Sequence, residues 1–200
     1  MESTTQDLDL IFLIDRSGSM YGSEEDTIGG FNSFIERERK KGFNTKVTTI
    51  LFDDGYDVLY ERRSINDVSP LTSDEYYVRG STALLDAIGK TITSLEQKID
   101  NKTLFVITTD GMENSSVEFS KAQISNMINN LNWEFIYVGA DIDSYSEASQ
   151  IGFRKSRVAN YEKSARGVDD LYLSIGNATD YIRENRVFEE EWKRNLEKYD

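Results

Sequence analysis

Residues 8–20 read LDLIFLIDRSGSM, and this stretch decides the fold. All but one of its first seven residues are apolar, which is typical of a strand buried on both faces of a parallel sheet. The carboxylate of Asp15 ends this run, and the hydroxyls of Ser17 and Ser19 follow at alternate positions. These three side chains are hard oxygen donors on one tight turn, so they can converge on a small cation. The stretch predicts a buried strand that ends in a metal-binding loop.

The composition restricts the chemistry of the chain. Its 200 residues, 38% of them hydrophobic, fit one globular domain. Histidine and cysteine are absent, which excludes disulfides, Ser-His-Asp triads and thiolate or imidazole metal sites, so any metal must bind oxygen. A formal net charge of −13 disfavours binding to the negatively charged backbone of nucleic acid, and no stretch is apolar enough to span a membrane. Because the acidic start is also unlike a secretory signal, we expect a cytoplasmic protein with no nucleic-acid or membrane partner.

Apolar runs alternate with helical patterns along the chain, which is typical of a doubly wound α/β sheet with crossover helices. Four runs read as buried strands: 8–14, 47–52, 104–108 and 135–138. After the second run, a turn at 53–55 leads into alternating residues 56–61, which predict an antiparallel edge strand. With a weak strand at 157–159, we expect a mostly parallel sheet of about six strands flanked by helices.

Two helix starts carry capping signals. Ser120 and Gln123 have the spacing of a capping box, in which each side chain bonds to the backbone of the other residue. Ser144 is expected to cap a short helix that stops near Gly152.

The stretch 186–200 has an amphipathic pattern of its own. Phe188, Trp192 and Leu196 fall on one helical face, which predicts a helical extension beyond a domain formed by residues 1–185. Such a helix either packs back onto the domain or docks another chain through its tryptophan.

Oxygen-bearing side chains gather at the predicted carboxyl edge of the sheet, where ligands of such sheets bind. Three of these side chains follow the first strand, a fourth precedes the second long helix, and a fifth lies in Thr-Thr-Asp-Gly after a central strand. The five residues are Asp15, Ser17, Ser19, Thr82 and Asp110. Taken singly, each segment is also a common turn or helix cap, so the joint occurrence carries the prediction.

Further polar residues near this edge are open to two interpretations. Asp86, one helical turn beyond Thr82, is either an anchor for the first loop or a solvated helix carboxylate. Glu113 and Asn114 could contact a ligand or simply make the loop polar. Asp141 and Asp143 resemble a second acidic pair, although a structural role suits Asp143 better.

The three segments together resemble the von Willebrand factor type A family, over residues 8–183. The matching motifs are Asp-x-Ser-x-Ser, Gly-x-Thr before a helix, and Thr-Asp-Gly. In that family these loops form the metal-ion-dependent adhesion site (MIDAS), which implies a Rossmann-like fold and a divalent cation held by the five residues named above. Mg²⁺ or Mn²⁺ is expected in preference to Ca²⁺. Arg16 and the wording Gly-Ser-Thr-Ala-Leu-Leu-Asp-Ala are most similar to stand-alone bacterial and phage-type members.

The resemblance also implies a function. Neutral hydroxyls leave the cation most of its charge, the aspartates act largely through bound water, and family members fill the open coordination position with a partner's carboxylate. We therefore expect a non-enzymatic module that binds a Glu or Asp of a partner protein, such as an ATPase or a multi-protein complex. Two alternatives stay open: a metal-assisted phosphoester hydrolase using Asp15 or Asp110, and a structural scaffold that docks through the C-terminal helix.

Overall fold

A six-stranded sheet organises residues 7–200, which are the residues that the computed structural model describes; the acidic start, 1–6, lies outside them. The strands are β1 (Leu8–Asp15), β2 (Thr45–Phe52), β3 (Tyr56–Ser64), β4 (Lys102–Thr109), β5 (Glu134–Gly139) and β6 (Val158–Asn160). Their order is β3-β2-β1-β4-β5-β6, and only β3 runs antiparallel to its neighbour. The predicted α/β fold is confirmed, including the antiparallel edge strand and the weak strand near 157–159.

Between residues 7 and 200, five α-helices cover the two faces of this sheet. They are α1 (Glu24–Lys40), α2 (Leu84–Leu95), α3 (Lys121–Asn130), α4 (Ser144–Ser149) and α5 (Ala165–Arg183). Helices α1 and α5 pack on one face, and α2, α3 and α4 pack on the other. Strand β1 supplies both cores, because Phe12 points into the first and Ile11 and Leu13 point into the second. Within residues 7–200, none of the helices has the length and hydrophobicity of a membrane span.

One of the two predicted caps is confirmed, and the other, Ser144, is wrong. Ser120 and Gln123 form the complete capping box at the start of α3. Helix α4 begins where expected, but its cap is Asp143, whose carboxylate accepts the N–H of Ser146 at 3.0 Å. The chain leaves this helix through Gly152, whose positive φ of 93° favours glycine.

The stretch 186–200 is not the predicted amphipathic helix. It contains two short 3₁₀ turns, Glu191–Lys193 and Glu197–Tyr199, and folds back onto α5 and β6. Trp192 is fully buried and donates its Nε1–H to the Ser156 carbonyl at 2.8 Å. Lys193 Nζ donates to the Val158 carbonyl at 2.8 Å, on the edge of β6 that faces away from β5. The prediction that this segment packs on the domain is confirmed, and the docking helix is wrong.

Candidate metal centre

Three hydroxyls from two separate loops meet at the carboxyl edge of the sheet. Ser17 and Ser19 lie in the first loop, which follows β1, and Thr82 lies in the second loop, two residues before α2. The third loop follows β4 and begins at Asp110. Ser17 Oγ is 3.1 Å from Ser19 Oγ and 3.0 Å from Thr82 Oγ1. Adjacent ligand oxygens around an octahedral Mg²⁺ are about 3.0 Å apart, since each metal–oxygen bond is about 2.1 Å. The spacing of the hydroxyls therefore suits a cation of this size.

Both predicted aspartates reach the same cluster. Ser19 Oγ donates to Asp110 Oδ1 at 2.6 Å. Asp15 lies beneath the hydroxyls, where its carboxylate accepts the Ser17 N–H at 2.7 Å and the Thr109 hydroxyl at 2.6 Å. The five residues predicted from the sequence are thus brought together, and the exposed Ser19 opens the cluster to solvent.

The electrostatics of Asp15 follow from its burial. Burial raises the pKa of Asp15 to about 6, in spite of its hydrogen bonds from Thr109 and Ser17. The negative charge of Asp110 adds to this rise. A cation near Asp15 would favour the ionised form of this buried carboxylate.

Gly111 leaves the space between the hydroxyls free. A Cβ at this position would lie 2.6 Å from Thr82 Oγ1, 3.0 Å from Ser19 Oγ and 3.3 Å from Ser17 Oγ. The three oxygens therefore surround a small volume that any side chain on residue 111 would fill. This cradle, with its hydroxyl and carboxylate donors, fits a small hard cation.

No group of three or more acidic side chains poised for a metal occurs between residues 7 and 200. With histidine and cysteine absent from the sequence, a metal at this edge would depend on hydroxyl ligands. That ligand set distinguishes the cluster from sites built on several carboxylates.

Glu113 and Asn114 join the second and third loops. Asn114 Oδ1 accepts the Thr82 N–H at 2.9 Å, and the Asn114 N–H donates to the Thr82 carbonyl at 3.0 Å. Glu113 Oε2 accepts the Leu85 N–H at 3.0 Å. These side chains bind the start of α2, whose cap position, Ala83, supplies no side-chain bond. The Thr82 hydroxyl is consequently free to face Ser17, which a capping role would prevent.

Asp86 neither anchors the first loop nor lies in solvent, so both interpretations of this residue are wrong. Asp86 is 6% exposed, and its carboxylate accepts the backbone N–H groups of Val117, Glu118 and Phe119, each at 2.9 Å. Burial opposes its ionisation, but the three N–H donors outweigh burial and lower the pKa of Asp86. Asp86 anchors the segment that follows the third loop.

The first loop is held instead by Arg16. This buried guanidinium donates to Asp53 Oδ2 at 2.9 Å, and Arg79 donates to the same oxygen at 2.7 Å. Burial opposes ionisation of Asp53, but the hydrogen bonds from Arg79, the Gly55 N–H and Arg16 hold its pKa below the usual value. Backbone bonds between the first and second loops, Gly18 N–H to the Gly80 carbonyl at 3.0 Å and Arg79 N–H to the Arg16 carbonyl at 2.9 Å, complete the attachment.

A lysine that the sequence analysis missed lies at this site. Lys163, between β6 and α5, places Nζ 2.9 Å from Asp110 Oδ2 and 3.1 Å from Asp141 Oδ2. It also donates to the Ser19 carbonyl at 3.2 Å. The hydrogen bond to Asp110 raises the pKa of Lys163. Its place just after a strand was a usable signal, because that position lies at the ligand-binding edge. Asp141 and Asp143 are not an acidic pair, since one meets Lys163 and the other caps α4.

The sheet and its helices form the von Willebrand factor type A fold, which several solved structures share. Proximal thread matrix protein 1 from the mussel byssus, with a zinc-occupied MIDAS motif, matches with a TM-score of 0.64 and 16% identity over 90% of this chain and 46% of that chain. The vWF domain of the type V pili tip protein Mfa5 from Porphyromonas gingivalis matches with a TM-score of 0.63 and 10% identity, over 86% of this chain and 96% of that chain.

A third similar structure is the minor pilin PilB from Streptococcus sanguinis, with a TM-score of 0.69 and 11% identity over 92% of this chain and 63% of that chain. At identities this low, the structural similarity shows a shared fold alone. The chain spans about half the length of the mussel protein that it matches. No family model and no curated protein matches the sequence.

Proposed function

We propose that this chain is a metal-dependent protein-binding module with a complete MIDAS. The observation that carries the proposal is the convergence of three hydroxyls and two carboxylates around the space left by Gly111. The zinc-occupied MIDAS motif in a structure of the same fold supports it. The residues proposed to hold the cation are Asp15, Ser17, Ser19, Thr82 and Asp110.

The donor set favours Mg²⁺ or Mn²⁺ over Ca²⁺. Ser17, Ser19 and Thr82 would contact the cation, and the two aspartates would balance its charge. A bound dication supplies an electrophilic position for a carboxylate of the partner protein. Because the chain carries a formal net charge of −13, such a bridge would let it bind an acidic surface that would otherwise be repelled.

We infer that the site binds and does not catalyse. Asp15 is fully buried, and both of its oxygens accept hydrogen bonds, so it is poorly placed to act as a nucleophile. Lys163 is paired with two carboxylates and is not free to stabilise a phosphoryl group. The scaffold alternative loses its helix, since Trp192 is buried against the domain itself. An acidic partner within an ATPase or multi-protein complex, a cytoplasmic location and kinship with stand-alone bacterial or phage members are proposals from the sequence alone.

Titration calorimetry with MgCl₂ and MnCl₂ tests the metal site. We expect one saturable site in the wild type and a loss of at least about tenfold in affinity in Thr82→Val, which removes a ligand oxygen with little change of shape. Thr91→Val, a buried hydroxyl further along α2, is the matched control and should bind metal normally. Absence of binding in the wild type, or unchanged binding in Thr82→Val, would contradict the proposal.

The partner is then sought by affinity capture on immobilised chain, with and without EDTA. A genuine ligand should be released by EDTA, return with Mg²⁺ and fail to bind Thr82→Val. Capture that ignores EDTA and the substitution would mean that the chain binds through another surface.

A further inference from the structure

We propose that Lys163 weakens the metal affinity of this site because its ammonium group competes with the cation for Asp110. The inference rests on the proposed function and concerns its regulation. Lys163 Nζ lies 2.9 Å from Asp110 Oδ2, while Ser19 Oγ donates to the other oxygen of the same carboxylate at 2.6 Å. The Asp110 carboxylate is thus shared between Ser19, another proposed metal ligand, and the positive charge of Lys163.

Burial of Asp110 makes this sharing consequential. Its side chain is 0% exposed, so its negative charge depends on partners supplied by the chain or by a bound cation. A dication that uses Asp110 is a like charge close to the ammonium group of Lys163. Coulomb repulsion between single and double charges about 5 Å apart weakens binding by about tenfold even in water.

Asp141 gives the lysine a second partner. Its carboxylate is 3.1 Å from Lys163 Nζ, and its side chain is 64% exposed. Because Lys163 pairs with both aspartates, it can stay paired with Asp141 when Asp110 interacts with a cation. Metal binding therefore need not displace the lysine from the site. The backbone of Asp141 adopts a positive φ of 56°, which is uncommon for a residue other than glycine.

The test is Mg²⁺ titration of Lys163→Met at low ionic strength, in the full chain. We expect Lys163→Met to bind MgCl₂ about tenfold more tightly than the wild type, since the competing charge is gone. Lys163→Arg keeps the charge and should stay near the wild-type affinity. Lys98→Met makes the same change of net charge at a surface pair with Glu61 and should also bind normally. The gain should shrink in 0.5 M NaCl, because Lys163 is partly exposed.

Equal or weaker Mg²⁺ binding by Lys163→Met would overturn the inference and would indicate that the lysine positions Asp110 for the metal. If the wild type itself binds no Mg²⁺, the proposed function fails first, and the two failures are distinguishable. Circular dichroism checks that the variants fold. Should Lys163→Met fail to fold, Lys163→Gln keeps a hydrogen-bond donor without the charge and provides the same comparison.

Discussion

At the centre of the site, an added Cβ on Gly111 would lie within 3.3 Å of three hydroxyl oxygens, the nearest being Thr82 Oγ1 at 2.6 Å. Glycine here does not serve a left-handed backbone, because its φ is not positive. The missing side chain matters for space alone. The proposed metal site thus depends on a residue that would contribute no ligand.

We expect Gly111→Ala to weaken Mg²⁺ binding by about 10- to 100-fold, the range seen when residues that position metal ligands are changed. The same substitution should lower the free energy of unfolding by about 1–3 kcal/mol, because the methyl group overpacks the cluster. Calorimetry and urea unfolding measure the two effects. Gly29→Ala is the control, because a Cβ added at this position of α1 has no atom within 4 Å; it should leave binding intact and stabilise the helix by about 0.5–1 kcal/mol. Wild-type affinity in Gly111→Ala would show that the cradle does not hold the metal.

The five proposed ligands could be predicted from the sequence because each combines a suitable oxygen with a position at the end of a strand or the start of a helix. Position in the sequence places Lys163 and Asn114 near the same edge, but it does not predict what either side chain does there. Their roles depend on the residue that each one contacts: Lys163 pairs with Asp110, and Asn114 accepts the N–H of Thr82. Such pairing is a property of the folded chain. Asp86 shows the same limit, since its helix position predicted the wrong loop.

At the scale of the elements, α2 is tied to the segment after the third loop by Asp86. We expect Asp86→Asn to lower the free energy of unfolding by about 1–3 kcal/mol at neutral pH, because the amide cannot replace a charged acceptor of three N–H groups. The folded-state pKa of Asp86 lies below its ordinary value of 3.8. Its stabilisation is therefore present above pH 3.8 and is lost as the pH falls through the folded-state pKa.

Urea unfolding of the wild type and of Asp86→Asn across pH 3–7 measures this difference. The gap between the two proteins should be largest near neutral pH and should narrow in acid. Asp67→Asn, at an exposed position, should differ from the wild type by less than about 0.5 kcal/mol throughout. A gap that stays constant down to pH 3 would mean that the charge of Asp86 does not provide the stabilisation.

The strands were predictable because a strand buried on both faces leaves an unmistakable apolar run, as in β1 and β4. The structure of the stretch 186–200 was not predictable in this way, because the same apolar periodicity also suits a chain that lies in turns across the edge of a sheet. Bonds from Trp192 and Lys193 to the backbone of 155–158, together with the burial of Leu196, override the helical pattern. Local propensity cannot register partners that lie more than thirty residues away in sequence.

At the scale of the whole molecule, the C-terminal stretch completes one core and covers the end of the sheet. We expect Trp192→Ala to lower the free energy of unfolding by about 3–5 kcal/mol, the usual cost of deleting a large buried aromatic side chain. Because β6 would lose its cover, the variant should also self-associate at high concentration. Urea unfolding and size-exclusion chromatography measure these effects.

Val187→Ala is the matched control, since Val187 is 74% exposed in the same stretch and should tolerate truncation within about 0.5 kcal/mol. Full stability in Trp192→Ala would mean that residues 186–200 are an appendage and not part of the core. That result would support the predicted division into a domain of residues 1–185 and a separate extension.

The backbone bonds between the first, second and third loops have a consequence for protein engineering. Gly18 is bonded to Gly80, and Asn114 is bonded to Thr82, so the loops are aligned by main-chain atoms before any side chain meets a cation. Transplanting only the five oxygen-bearing residues onto another scaffold would copy the chemistry and lose the alignment. A designer who wishes to move this site must graft three peptide segments with their mutual register.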